Sequence, residues 1–246
     1  MINNDLFFFP PLLSFCDHTE IYLQNLHNDT VYRLISVANT DCAQPMDSIE
    51  IAQKLQGTYE KATNLVADFN QTTSIKFSGR VRQGSGSMIF LRPGRLRWDY
   101  IAPDHQVLIS DGESISMYFE KNNQMIISNA RDYLQSDVTY SFFAGTGDIL
   151  KDFDIVEPDF KNVEGNSYLI KLVPKSTHPH VSSIHAWITD GTFLLEHLRI
   201  VDHFDTVTDL FFENVQIDSN SYGGRKITKN LFSFTPPADT EIIKQY

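Results

Sequence analysis

Hydrophobic spacing divides the chain into one helix followed by many short strands. Ile51, Leu55, Tyr59 and Ala62 recur at four- and three-residue steps, with Ala52 and Leu65 beside them, which predicts an amphipathic helix over roughly 48–63. Asp47 or Ser48 can cap it, and Glu50 favours the positive end of its dipole. Beyond the helix the period drops to two. Met88, Phe90 and Arg92 alternate with Ser87, Ile89 and Leu91, and Leu96, Trp98 and Tyr100 alternate with Arg95, Arg97 and Asp99. Ile115, Met117 and Phe119, then Met125 and Ile127, continue the theme. Pro93-Gly94, Asp111-Gly112 and Asn122-Asn123 punctuate these runs as turns, the pattern of an antiparallel meander rather than of βαβ units. Residues 139–152, which include Phe142 and Phe143, break the alternation and predict one or two short helices. Strands are expected again at Tyr168–Val173, Ile184–Thr189, Phe193–Asp202, Leu210–Ile217 and Leu231–Phe234, with Asp190-Gly191 as a two-residue hairpin turn. The class is α+β, helix first, then a long curved antiparallel sheet.

Parity sharpens the hairpin around Pro93. If residues 93–95 form the turn, Arg92 opposes Leu96, Phe90 opposes Trp98 and Met88 opposes Tyr100. Cross-strand partners share a face, so Met88, Phe90, Leu96, Trp98 and Tyr100 form one apolar surface with Arg92 at its rim. A two-residue turn would set Phe90 against Arg97 and spoil the pattern. Two readings of this surface stay open: an apolar pocket with a polar latch, or a plain core beside a solvated arginine. Met117, Phe142 and Phe143 join the surface as candidate lining residues.

Composition narrows the function classes. The chain has 246 residues, 41% hydrophobic and 21% charged, which argues for a folded protein rather than disorder throughout. Eighteen Phe, ten Tyr and two Trp must enter a core or surround a ligand. A net charge of −11 argues against nucleic acid and against stable adsorption to anionic membranes. No apolar run reaches the length that spans a bilayer. Cys16 and Cys42 both lie early, so neither a disulfide framework nor a thiolate metal site holds the main domain, and they read as incidental thiols. The apolar stretch Phe7–Phe15 is broken by Pro10-Pro11 and follows no basic residue, and residues 32–43 hold only fragments of a secretory signal. Residues 1–46 are therefore expected to be a leader or a poorly ordered N-terminal extension, and 47–246 a single domain.

The hairpin also carries a family resemblance. The run from Gly86 through Arg92-Pro93-Gly94 to Leu96, Trp98 and Tyr100, then Pro103, Gln106 and Ser110-Asp111-Gly112, resembles the LolA family of outer-membrane lipoprotein carriers. Phe69-Asn70-Gln71 upstream, Leu172-Val173-Pro174-Lys175 downstream and Phe232-Ser233-Phe234-Thr235-Pro236-Pro237 at the end fall in the right order. The resemblance spans roughly residues 47–246. It implies an open antiparallel half-barrel with an N-terminal helix and short lid helices, working in the periplasm of a Gram-negative-type bacterium. It implies acylated lipoproteins as cargo, an ABC-type transporter in the inner membrane as donor and an outer-membrane lipoprotein acceptor. It places Leu96 and Trp98 among the cavity residues, and gives Arg92 the role of bonding lid and loop groups to close the empty cavity. A monomer without cofactor is expected.

Catalytic signatures are weak. The chain has no Gly-x-Ser-x-Gly elbow, Gly145-x-Gly147 lacks a third glycine, and no phosphate-binding Gly-x₄-Gly-Lys-Ser/Thr occurs. His178, His180, His185, His197 and His203 invite a metal but lack a Cys or patterned carboxylate, so they read as solvated loop and strand-face histidines, and Asp152 and Asp154 as a solvated loop. An acceptor or sensor on the same half-barrel is the alternative, although Asn39-Thr40-Asp41 before Cys42 is unlike an acylated anchor. A lipid-acting enzyme would require a nucleophile motif that is missing, and a purely structural β-protein would have a filled interior.

Overall fold

The computed structural model describes residues 19–25, 32–38, 46–131, 142–143, 147–160 and 166–245. The chain divides into two units, Met1–Met46 and Asp47–Tyr246. In the first, Thr19–Asn25 (β1) and Tyr32–Ala38 (β2) pair antiparallel.

The second unit opens with helix α1, Ser48–Lys61. Asp47 is its cap, accepting a bond from the Glu50 amide at 2.7 Å, and Ile51, Ala52, Leu55 and Tyr59 form its buried stripe. The helix stops two residues short of the expected end. The Thr63 amide donates to Asp218 at 2.7 Å, and Asn64 already pairs with Leu91, so sheet hydrogen bonds capture the backbone before another turn can form.

Next come β3 (Asn64–Ile75), β4 (Arg80–Leu91), β5 (Arg95–Ala102), β6 (Gln106–Ser110), β7 (Ser114–Phe119) and β8 (Gln124–Asn129). A short helix α2 (Ile149–Asp152) leads into β9 (Phe153–Val156), β10 (Ser167–Pro174), β11 (Ser183–Thr189), β12 (Leu195–Val201) and β13 (Val207–Ile217). A small hairpin, β14 (Ser221–Tyr222) with β15 (Arg225–Lys226), and a last strand β16 (Glu241–Gln245) complete the described elements. The main sheet has twelve strands in the order β16-β8-β7-β6-β5-β4-β3-β13-β12-β11-β10-β9. Two meanders are thus joined where β3 pairs with β13, and only β16 against β8 is parallel. The sheet is open and antiparallel-dominated, and the class is α+β as expected.

Four sequence expectations are corrected. No strand was assigned to β3, whose polar positions (Asn64, Asp68, Asn70) hid the alternation of Leu65, Ala67 and Phe69. The β4–β5 turn is Arg92-Pro93-Gly94 rather than 93–95, with Phe90 opposite Leu96, Met88 opposite Trp98 and Gly86 opposite Tyr100. The Arg92 amide donates to Thr63 O at 3.0 Å instead of joining the β4–β5 ladder. This shifts the register by two residues, so the five apolar residues keep a common face. Asp190-Gly191 is part of a five-residue connection, 190–194, because the Thr189 amide bonds Leu194 O at 2.9 Å and Gly191 and Phe193 both take positive φ. Leu231–Phe234 is not a strand: Lys229–Phe232 forms a 3₁₀ turn, with Leu231 and Phe232 buried.

That last correction has a packing cause. The β4–β8 region is apolar on both faces. Its inner face carries Met88, Phe90, Leu96 and Trp98, while Ile89, Val107, Ile109, Tyr118 and Met125 are buried on the outer face. The C-terminal segment crosses that outer face and seals it with Leu231 and Phe232, flanked by Tyr222, Ile227 and Phe234. The Gly223-Gly224 turn, both residues at positive φ, folds β14 onto β15 and aims Tyr222 inward. Arg97 pins the segment through a bond to Leu231 O at 3.2 Å, and is itself held by two bonds, at 2.6 and 2.9 Å, to Asp99 on the same strand. The Tyr222 hydroxyl donates to Asp99 at 3.0 Å and lies 2.8 Å from Ser87 Oγ. Burial, first of all, raises the phenol's pKa well above the usual tyrosine range.

The Arg97 and Asp99 side chains are only 19% and 14% exposed, so removing one partner strands a largely desolvated charge. Asp99→Ala is expected to cost about 3 kcal/mol, and Tyr222→Phe about 1 kcal/mol. Urea unfolding would measure both, and limited proteolysis should release residues beyond Ile217 faster in Asp99→Ala.

Candidate functional site

The inner face is built by register. Leu65, Ala67 and Phe69 of β3 lie opposite Phe90, Met88 and Gly86 of β4, which in turn face Leu96, Trp98 and Tyr100 of β5. Gly86 is obligatory here, since a Cβ would fall 1.8 Å from Asp99 O at the β-bulge beside it. The same face continues from Trp98 to Leu108, Met117 and Ile126. In the other direction it runs from Phe69 to Phe212 and through Leu210, Leu198, Ala186 and Ile170.

Phe143 occupies the middle of this surface. Its ring stacks on Phe90 at 5.1 Å and meets Phe212 at 5.4 Å, Tyr59 at 5.8 Å and Trp98 at 6.1 Å. Phe69 closes the group against Trp98 at 5.0 Å. Met88, Leu96, Trp98, Phe90 and Phe143 are all buried. Tyr100 and Met117 are only half-buried at the margins, and the Tyr100 hydroxyl donates to Gln71 at 2.8 Å.

Beside Phe143 the described residues bound a cavity of about 580 Å³, within the size range of small-molecule sites. Leu55 of α1, Ile149 of α2, and Leu172, Ile184 and Leu198 of the second meander line it, with Phe142 at its edge. Of the sequence-derived candidates only Phe142 borders it. The others form the aromatic group next door. The sequence signal for these lining residues is the alternation of Leu172 with Ile170, and of Ile184 with Ala186 and Ile188, in the second meander. Arg131, Asp148, Asp152 and His178 form the polar rim.

Among the described residues, four polar bonds tie α1 and α2 over this interior. The Leu195 amide donates to the Tyr59 hydroxyl at 3.1 Å, and burial keeps that phenol un-ionised far above its ordinary range. Arg92 Nη2 donates to Tyr59 O at 2.9 Å in the last turn of α1, where a cation also complements the helix dipole. The Ile149 amide donates to Gln56 Oε1 at 2.8 Å, fastening α2 to α1. Lys175 Nζ donates to Leu150 O at 2.8 Å from β10's end. Of the short helices expected at 139–152, Ile149–Asp152 is present and residues 142–143 are helical. Residues 139–141 and 144–146 lie outside the described residues.

His180 and His203 are exposed in connections as expected, whereas His185 and His197 are not solvated. His185 is 4% exposed, and Phe160, Trp187, His197 and Phe211 stack in a row on the outer face of the second meander, with 4.1 Å between Trp187 and His197 and 4.0 Å between His197 and Phe211. Burial, chiefly, depresses the His185 pKa. His197 bonds Asp209 at 2.7 Å, which also accepts from Arg199 at 2.8 Å. His178 and His203 are joined instead by a side-chain-to-backbone bond at 2.7 Å. Strand pairing brings these rings together and shields them, which a linear spacing of histidines does not reveal. Asp152 and Asp154 are exposed, but on α2 and β9 rather than in a loop. Among the described residues no three His, Cys, Asp or Glu side chains converge as metal ligands.

Comparison with known proteins agrees with this geometry. The family described as "Outer membrane lipoprotein carrier protein LolA" matches residues 60–235. The outer-membrane lipoprotein carrier protein of Nitrosomonas europaea is 30% identical over 204 residues, covering 82% of this chain and 94% of its own. That of Legionella pneumophila (strain Lens) is 29% identical over 195 residues, covering 79% and 90%. Among solved structures, an uncharacterized conserved protein from Thermus thermophilus shares the fold with a TM-score of 0.52 at 12% identity, covering 81% of this chain and 100% of its own. An open sheet with a helix-covered apolar interior and a family match over most of that sheet converge: this chain belongs to the LolA family of outer-membrane lipoprotein carrier proteins.

Proposed function

We propose that the protein takes the acyl chains of lipoproteins into the space between α1 and the sheet, and carries them through the periplasm from an inner-membrane ABC-type transporter to an outer-membrane acceptor. The observation behind this reading is the plug: Phe143 fills an apolar interior that continues into a cavity. A buried phenylalanine contributes up to about 3 kcal/mol, and each acyl methylene about 0.8 kcal/mol. Roughly four methylenes therefore offset the loss of Phe143 from its seat, and a longer chain has free energy to spare.

Opening then requires the bonds of Leu195 to Tyr59, Ile149 to Gln56 and Arg92 to Tyr59 to give way. At about 1 kcal/mol each for the neutral bonds and somewhat more for the arginine, they hold the empty interior shut without preventing exchange. Arg92 is assigned the closing role, since its guanidinium ties the β4–β5 turn to the helix. Met88, Phe90, Leu96 and Trp98 are assigned the acyl-lining role once Phe143 moves, with Tyr100 and Met117 at the margins. Direction comes from graded affinities among donor, carrier and acceptor, and no chemical step is needed.

Native mass spectrometry of the full chain with a triacylated lipoprotein is expected to show a stoichiometric complex, lost in Leu198→Arg and Trp98→Glu variants that keep a native circular dichroism spectrum. Absence of any complex with the unaltered chain would overturn the reading. Phe143→Ala is expected to lower stability by about 3 kcal/mol while tightening binding of a fluorescent apolar probe severalfold. Unchanged probe binding would make Phe143 ordinary core.

A further inference from the structure

Large apolar side chains are exposed together at one end of the sheet. Phe77, in the β3–β4 turn, is 81% exposed and Phe204, in the β12–β13 turn, is 69% exposed. Because β3 pairs with β13, with Ser74 opposite Val207, the two turns lie side by side. Lys76 of one is bonded to Asp205 of the other at 2.6 Å. Both tips are shaped by their own hydrogen bonds. Asp202 accepts from the Phe204 and Thr206 amides at 2.7 and 2.8 Å, and Gly79 supplies the positive φ that returns the first hairpin. Val81, 60% exposed, begins β4 beside them, and Ile101 is exposed where β5 ends against the same strand.

The charge is local as well. Residues 76–82 read Lys-Phe-Ser-Gly-Arg-Val-Arg, three cations and no carboxylate in a chain whose net charge is −11. Arg80 and Arg82 are exposed. Phe77 projects beside Arg80 and Arg82, and Phe204 beside Asp202 and Asp205, the latter already paired with Lys76, so the two tips together keep a small positive charge that sits on the two arginines. Such tips match the bilayer interface, where aromatic rings sit at headgroup depth and Lys or Arg meets anionic phosphates.

We propose that the tips at 76–82 and 202–206 form a docking surface for an anionic phospholipid bilayer. The rest of the acidic surface is repelled, so contact is brief and oriented, with this end toward the lipid. A net charge of −11 opposes stable adsorption of the whole protein but not a weak, directed touch through Arg80 and Arg82 at this end of the sheet. The proposal is independent of acyl binding, because the surface lies on exposed turns and its test uses no cargo.

The test is sedimentation of the full chain with vesicles of phosphatidylethanolamine and phosphatidylglycerol, compared with phosphatidylcholine alone. The unaltered chain is expected to bind the anionic vesicles, and added salt to weaken that binding. Arg80→Glu with Arg82→Glu, and separately Phe77→Ser with Phe204→Ser, should each reduce it roughly tenfold with unchanged urea midpoints. No binding by the unaltered chain overturns the proposal. Equal binding by both double variants overturns it too, leaving the tips as a surface for protein partners.

Discussion

Tyr59 stands where the helix, both halves of the sheet and the plug meet. Its hydroxyl takes the Leu195 amide of β12, its carbonyl takes the Arg92 guanidinium from the β4–β5 turn, and its ring touches Phe142 at 4.9 Å and Phe143 at 5.8 Å. One buried residue thus spans the seam between the two meanders. A phenol is suited to this place because it offers apolar area for the plug and one polar tip for an amide that would otherwise be buried unpaired. α1 contacts the second meander and α2, yet its grip on the first depends on Arg92 reaching its final turn.

The two faces of the first meander are covered in physically different ways. On the outer face the C-terminal segment is held by a charged network, Arg97 with Asp99, Tyr222 and Leu231 O, over a continuous apolar cluster. Breaking that network strands a largely desolvated charge, so lifting this cover costs several kcal/mol. On the inner face the described ties are two neutral hydrogen bonds, two from Arg92 and Lys175 to helix carbonyls, and aromatic contacts, each worth on the order of 1–2 kcal/mol. Such a cover can be displaced by an apolar ligand that replaces the area it loses. Under the proposed reading, this asymmetry gives an acyl-chain carrier one fixed wall and one that a ligand can displace.

The second meander supplies the remaining room. Its inner face carries the aliphatic residues Leu172, Ile184, Ala186 and Leu198, which leave space under Leu55 and Ile149. Its outer face is stiffened by the stacked Phe160, Trp187, His197 and Phe211 and by the Asp209 carboxylate shared between His197 and Arg199. Burial raises that carboxylate's pKa, but hydrogen bonds from His197 and Arg199 outweigh it and hold the value below the ordinary range. The aromatic side chains therefore serve the plugged half on the inside and the cavity half on the outside.

Much of this was legible in the chain as written. The 3.6-residue period of Ile51, Leu55 and Tyr59 defines α1, and strict alternation defines β5 and its face. Because side chains alternate with a period of two, the shared face of Met88, Phe90, Leu96, Trp98 and Tyr100 survived a register error of two residues. The Arg-Pro-Gly hairpin also carried the family. What the tertiary structure alone decided were the contacts between elements far apart in sequence. The pairing of β3 with β13, the seating of Phe143 on Phe90, the burial of His185 and the 3₁₀ turn at Leu231 all answer to surfaces that other segments present. Local pattern tells which side of a strand is apolar. Which segment covers that side, and whether a cavity is left beneath it, depends on the volumes and polar groups that packing brings together across the whole sheet.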